Sequence, residues 1–257
     1  MMQKKNRCLT NPDTPTVAKT INFVTQHGMP DYANIIYNGR NILFRLDKQD
    51  TDFEQQINVK SFHTPRFPNN IIYSHLRDSK AKRSYTHAKR LLQLGFHTPT
   101  PYGYSEVTEN GIFKSSYYFC QHLPYPNMRC WENRKDRNEL IKAFGKEIAR
   151  LHQAGVFMKD FSSGNILLNV TPQGEYEFYY VDLNRMDFDV HDEKRLMQMF
   201  RTLSPDKAYV HSIARAYAIA AGKSPTKVIE MANDAFNHFI KIQQRKKHMK
   251  SFFHAYR

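Results

Sequence analysis

A chain of 257 residues is long enough to bury a full core, as one large domain or as two lobes around a cleft. Its 38 Lys and Arg against 24 Asp and Glu give a formal charge of +14, which favours polyanionic partners: nucleic acid, an anionic membrane surface or phosphorylated substrates. No apolar run reaches the roughly 18 residues of a transmembrane helix, residues 1–22 lack the apolar segment of a secretory signal, and three cysteines (Cys8, Cys120, Cys130) without metal or redox spacing fit a reducing cytosol.

Residues 1–32 are polar, contain prolines and show no periodicity; they read as a partly ordered leader. Residues 33–46 read as a hairpin, with Asn38-Gly39 supplying a positive-φ turn between Ile35-Ile36-Tyr37 and Ile42-Leu43-Phe44. Ile57-Asn58-Val59-Lys60-Ser61-Phe62 alternates at period two as a third strand, ended by Pro65 and Pro68. Over residues 76–94, Ala81, Tyr85, Ala88 and Leu92 recur at helical spacing, with Gly95 as the C-cap. Two strands flank Asn110-Gly111, and a connector rich in Pro and Trp follows. Beyond it the chain turns helical, over residues 138–154, 192–203, 207–221 and 225–247, the last opened by Ser224-Pro225. This order predicts an α+β chain of two lobes: a nucleotide-binding N-lobe over 33–122, and a C-lobe over 123–257 with a catalytic loop, a metal site and a basic tail.

The chemistry sits just inside the second half. Lys159-Asp160-Phe161-Ser162-Ser163-Gly164-Asn165 leads into the apolar strand Ile166-Leu167-Leu168, and a second strand ends at Tyr180-Val181 before Asp182-Leu183-Asn184-Arg185. An Asp, an Asn five positions on, and an Asp after the next strand have the layout of the protein-kinase catalytic loop and metal-binding triplet. In that arrangement Asp160 accepts the proton of an acceptor hydroxyl. Asn165 and Asp182 hold Mg²⁺ on hard oxygen donors, and Lys60, on its strand, reaches the phosphates of ATP. A single loop Asp is more often a turn or cap residue, and a Val-Lys pair in a strand is usually a solvated edge. The weight lies in residue types that occur in order, each on the expected element.

The chain resembles the lipopolysaccharide kinase family, the Kdo and heptose kinases, a branch of the protein-kinase-like fold. Five segments carry the likeness: Asn58-Val59-Lys60-Ser61-Phe62; Ser79-Lys80-Ala81-Lys82-Arg83-Ser84-Tyr85; Leu91-Leu92-Gln93-Leu94-Gly95 running into Thr98-Pro99-Thr100-Pro101; residues 160–168; and Asp182-Leu183-Asn184-Arg185, where protein kinases have Asp-Phe-Gly. The resemblance implies a strand-rich N-lobe and a helical C-lobe. It also implies ATP- and Mg²⁺-dependent phosphorylation of a sugar hydroxyl on the lipid A–core oligosaccharide, by a cytoplasmic protein peripheral on the inner membrane face.

The chain departs from the protein-kinase pattern at several places. Met158 stands where a His is usual two residues before the base. No Glu occurs over residues 76–94 to pair with Lys60, so its anchor is left open. No Gly-x-Gly-x-x-Gly loop is present, and the lysine usual two residues after the base is Ser162, with Lys159 placed just before it as the catalytic lysine. Only about ten residues separate Asp182 from the next helix, too few for a peptide-docking activation segment, which favours a non-protein acceptor.

Basic residues cluster twice. Arg77, Lys80, Lys82, Arg83, Lys89 and Arg90 share one helix, and residues 235–257 hold six Lys or Arg, no acid and several aromatics. The second pattern suits an anionic membrane surface; no nucleic-acid-binding signature accompanies it. His63, His75, His87 and His97 lack ligand spacing. Two other readings stand beside the core-sugar kinase: a small-molecule phosphotransferase of the aminoglycoside or choline type, and a catalytically silent nucleotide-binding pseudokinase.

Overall fold

The computed structural model describes residues 5–10, 17–51, 53–63, 78–109 and 112–255, with the backbone alone for 5–10, 132–133, 246–248 and 250–255. The chain forms two compact units, Met1–Pro124 joined by Asp182–Asn184, and Tyr125–Val181 joined by Arg185–Arg257.

The first unit is built on a six-stranded antiparallel sheet of order β1-β5-β6-β4-β3-β2. Its strands are β1 (Lys5–Thr10), β2 (Asn34–Asn38), β3 (Ile42–Leu46), β4 (Ile57–Phe62), β5 (Pro101–Glu109) and β6 (Ile112–Gln121). Side chains alternate between sheet faces, and β4 shows the consequence. Ile57 and Val59 join Phe44 and Phe119 under helix α1 (Val17–His27), which contributes Val17, Ile21 and Val24 to a fully buried cluster. Lys60 and Phe62 face the other way, toward helix α2 (Lys80–Gln93), whose Tyr85 packs on Tyr104 at 5.5 Å. Ser79 caps α2, accepting from the Lys82 amide, and Gly95 follows it at φ +78°.

Two features differ from the sequence reading. Residues 1–32, expected as a leader, include β1 and α1. The pairing of β1 with β5 uses backbone groups, so the polar Lys5-Asn6-Arg7-Cys8 carries no pattern to reveal it. The spacing Val17, Ile21, Val24 is helical, but too short to stand out among polar neighbours. The β2–β3 hairpin forms as expected, yet neither Asn38 nor Gly39 has positive φ. A Cβ at Gly39 would meet only the outer end of the exposed Tyr37 side chain, which is free to move aside. The Asn110-Gly111 turn and Pro65 and Pro68 lie outside the described residues.

The second unit is mainly helical. Helix α3 (Arg137–Gln153) crosses α5 (Lys207–Ala220) closely: a Cβ on Gly145 would collide with Ala216 and the Tyr217 backbone. A mid-helix glycine costs about 1 kcal/mol of propensity; here it permits the close crossing. Phe144 of α3 touches Phe161 at 5.9 Å and Phe178 at 5.0 Å, so α3 directly backs the loop that carries Asp160. A hairpin of β8 (Ile166–Val170) and β9 (Tyr176–Tyr180) follows that loop, and the two-residue strands β7 (Phe157–Met158) and β10 (Met186–Asp187) pair antiparallel on either side of it in sequence. The expected helix over 192–203 divides into α4 (Glu193–Met197) and a 3₁₀ segment, Gln198–Thr202. Helix α6 (Pro225–Ala255) ends the unit. Among the described residues no helix is long and apolar enough to cross a membrane.

Candidate active site

In the sheet unit the site begins with Lys60, held on β4 between Leu43 and Tyr118 on the neighbouring strands. Its ammonium donates to Asp182 Oδ1 at 2.6 Å. The same oxygen accepts from Asn184 Nδ2 at 2.6 Å, so the third residue of the triplet, where protein kinases have Gly, orients the first. Asp182 sits at φ +60°, a left-handed conformation that costs a non-glycine residue roughly 1–2 kcal/mol. Asp182 Oδ2 accepts no hydrogen bond among the described residues and is open to a metal.

The absence of an acid on α2 is answered by this geometry. Lys60 takes Asp182 as its counter-ion, and α2 grips the triplet through His87, whose Nδ1 lies 2.7 Å from the Leu183 carbonyl. A carbonyl only accepts, so the proton is on Nδ1. Nothing in the spacing of the histidines marked His87 for this contact. On β6, the Cys120 thiol is pushed up to about 12 by burial, against the pull of Lys60, which keeps it an unreactive neighbour.

In the helical unit, Asp160 and Asn165 close one turn. Asn165 Nδ2 donates to the Asp160 carbonyl at 2.9 Å and its amide to the Ser162 carbonyl at 2.8 Å. That leaves Asn165 Oδ1 without a partner among the described residues, as a metal ligand requires. The Val181 amide, one residue before Asp182, donates to the Asn165 carbonyl at 3.0 Å. Met158, in the place of the usual His, is buried and pairs with Met186 in the β7–β10 ladder. Three further contacts replace the organising hydrogen bonds of that His: Lys159 N to Arg185 O at 3.1 Å, Thr202 Oγ1 to Phe161 O at 2.9 Å, and Ser163 Oγ to Leu203 O at 2.8 Å.

Arg185, quoted from the sequence only as the close of a family-resembling segment, has a contact that the sequence did not announce. Its Nη1 reaches both oxygens of Asp160 at 2.9 Å, fixing the carboxylate plane. Arg201 stands by as a second cation: burial lowers its proton affinity, and the nearby Asp160 works in the opposite sense. Lys159, by contrast, is exposed and forms no ion pair among the described residues. Gly164 admits the Arg129 guanidinium, which a Cβ would displace.

Comparison with known proteins agrees with this architecture. The fold is protein-kinase-like, an antiparallel-sheet region followed by a helical one. WaaP, solved in complex with acyl carrier protein, matches over 94% of this chain and 98% of its own at a TM-score of 0.60, with 13% sequence identity. The Rio2 kinase–ADP/Mg²⁺–phosphoaspartate complex from Chaetomium thermophilum matches 83% of this chain and 70% of its own at 0.47 and 16% identity. WbdD, solved with the kinase inhibitor LY294002, matches 77% and 44% at 0.43 and 14%. No curated protein sequence is significantly similar. The chain belongs to the lipopolysaccharide kinase (Kdo/WaaP) family, whose model matches residues 37–217. It is a family of kinases, phosphotransferases by reaction.

Proposed function

We propose that the protein is an ATP- and Mg²⁺-dependent kinase that phosphorylates a sugar hydroxyl, of Kdo or heptose, in the inner core of lipopolysaccharide. The observation that carries this reading is the strained Asp182 paired with Lys60, in a chain whose family is defined by lipopolysaccharide kinases. Asn165 and Asp182 fit a magnesium ion in donor chemistry, each offering a hard oxygen without a hydrogen-bond partner among the described residues. When bound, the ion supplies charge neutralisation for the phosphates.

The remaining chemistry belongs to the chain. Asp160 takes the hydroxyl proton, and Arg185 holds its carboxylate in one orientation. Lys60 binds the nucleotide phosphates. Lys159, beside the base and exposed, fills the place of the lysine that protein kinases carry after it. Cations around the base, Arg185 and Arg201, suit an acceptor that is itself anionic.

The acceptor is lipid-borne, so the enzyme works in the cytoplasm as a peripheral protein on the inner membrane face. The +14 charge and the acid-free stretch 235–257 support that placement. Purified protein is incubated with labelled ATP and either lipid A–Kdo or total cell protein. Label entering the lipid supports the reading, label entering protein overturns the acceptor, and no transfer with any divalent ion overturns the kinase.

A further inference from the structure

In the sheet unit, one ring sees two ammonium groups. Phe62, at the end of β4 and 2% exposed, has Lys60 Nζ at 5.4 Å from its centroid and Lys80 Nζ at 5.9 Å. Lys60 has its carboxylate. Lys80, in the first turn of α2, has no ion pair or hydrogen bond from its ammonium among the described residues. Its half-buried position lowers its proton affinity first through desolvation, then through Arg40 in the β2–β3 hairpin and Arg83 one turn along α2; Lys60 adds to this, and Asp182 alone opposes it. Around Lys80, three cations (Arg40, Arg83 and Lys60) therefore act against the carboxylate of Asp182. A partly desolvated cation among like charges is unfavourable unless an anion completes the group.

We propose that Lys80 is a second phosphate-binding residue, which with Lys60 forms a cationic cradle for the polyphosphate chain of the nucleotide. The inference rests on the kinase reading above and deepens it. In the protein-kinase pattern an acid on this helix neutralises the strand lysine. Here the helix carries a base instead, Asp182 takes over the neutralising role, and the site's surplus positive charge is met by the ligand's phosphates. Arg40 extends the cradle into the hairpin that replaces a glycine-rich loop. Without glycine amides turned toward the phosphates, side-chain cations do that work.

A structural role for Lys80, its stem packed on Phe62, gives a different pattern from a phosphate role. The test is calorimetric titration of wild type, Lys80→Met, Lys80→Glu and Lys82→Met with adenosine, AMP, ATP and inorganic tripolyphosphate, in EDTA. Lys82 is the control because it already pairs with Asp78 at 2.6 Å. Lys80→Met weakens ATP and tripolyphosphate by about tenfold or more, the usual worth of a charge-assisted contact. It leaves adenosine within about twofold, Lys82→Met changes little, and Lys80→Glu is worse than Lys80→Met. Equal weakening of adenosine and ATP, no weakening at all, tighter binding by Lys80→Glu, or no tripolyphosphate binding by wild type overturns the proposal. Unchanged binding by Lys80→Met in an enzyme that transfers phosphate to lipid A–Kdo defeats the cradle and leaves the kinase standing. A Lys80-dependent tripolyphosphate site in a protein that transfers nothing does the reverse.

Discussion

Lys60 and Asp182 stand 122 positions apart in the chain and meet in an ion pair of 2.6 Å. Each has a further task in the proposed reaction, Lys60 on phosphate and Asp182 on metal, so the pair holds two proposed ligand-binding groups together. Its side chains are 20% and 33% exposed, so the cost of desolvating both charges offsets much of their attraction and the pair adds little net stability. Lys60→Met therefore separates the two tasks. Removal of the competing ammonium raises the affinity of Asp182 for Mn²⁺ severalfold in the absence of nucleotide, whereas ATP binding weakens by about tenfold or more. Electron paramagnetic resonance for the metal and calorimetry for the nucleotide check both directions. Parallel loss of both affinities would place Lys60 in a structural role.

The φ of +60° at Asp182 gives a second test. Glycine adopts that conformation freely, so Asp182→Gly is more stable than Asp182→Ala by about 1 kcal/mol, although both lose the hydrogen bonds of the carboxylate. Both variants lose Mg²⁺-dependent stabilisation by ATP. Denaturant unfolding that ranks Ala at or above Gly would mean the strain is not a property of this position.

His152 makes the helical unit acid-sensitive. It is 7% exposed, its Nδ1 lies 3.0 Å from the Tyr217 hydroxyl, and burial, aided by the charge of Lys223, pushes its pKa down to about 3. A depressed folded-state pKa means that the unfolded chain binds the proton first. Stability is therefore intact above the unfolded value near 6.5 and falls as pH drops from there toward 3, by up to about 1.4 kcal/mol per pH unit from this group. His152→Gln flattens the slope of unfolding free energy between pH 6.5 and 4.5. An unchanged slope would assign the acid sensitivity to other groups.

The legible parts of the molecule were those written locally. Strand β4 and helix α2 follow from period-two and 3.6-residue patterns, and the Asp160–Asn165 turn follows from a five-position spacing closed by one side-chain hydrogen bond. What the sequence withheld was long-range. Arg185 lies 25 positions from Asp160, and nothing in either neighbourhood marks them as partners. A search for an acid on α2 could not find the counter-ion of Lys60, because the triplet itself supplies it. The hairpin at Asn38-Gly39 forms where the dipeptide places it, but without the positive φ that the dipeptide predicts. Helix α1 was hidden by its shortness, and β1 by a polar sequence without a period-two pattern.

The basic C-terminal stretch gives a prediction about place. Lys241, Arg245, Lys246, Lys247, Lys250 and Arg257 occur without an acid among them; helix α6 runs to Ala255, with side chains at 246–248 and beyond 249 outside the described residues. Each basic residue near an anionic surface contributes about 1 kcal/mol before screening. Co-sedimentation is expected with anionic but not zwitterionic vesicles and is lost in high salt. Changing Arg245, Lys246 and Lys247 to Glu lowers activity on lipid-embedded acceptor and spares a short soluble sugar acceptor. Equal sedimentation with both vesicle types, or equal loss on both acceptors, would remove the tail from membrane binding.

Asp160, proposed as the base of a transfer from ATP to a core sugar, is open to a single decisive comparison. Wild type and Asp160→Ala are compared for label passing from ATP to lipid A–Kdo, with ATP affinity and melting temperature recorded for both. Transfer by wild type is expected, with a fall of roughly two to four orders of magnitude in the variant, the usual worth of a positioned general base, and ATP affinity and fold nearly intact. Turnover by Asp160→Ala at the wild-type rate would make Asp160 a structural loop residue and contradict the mechanism.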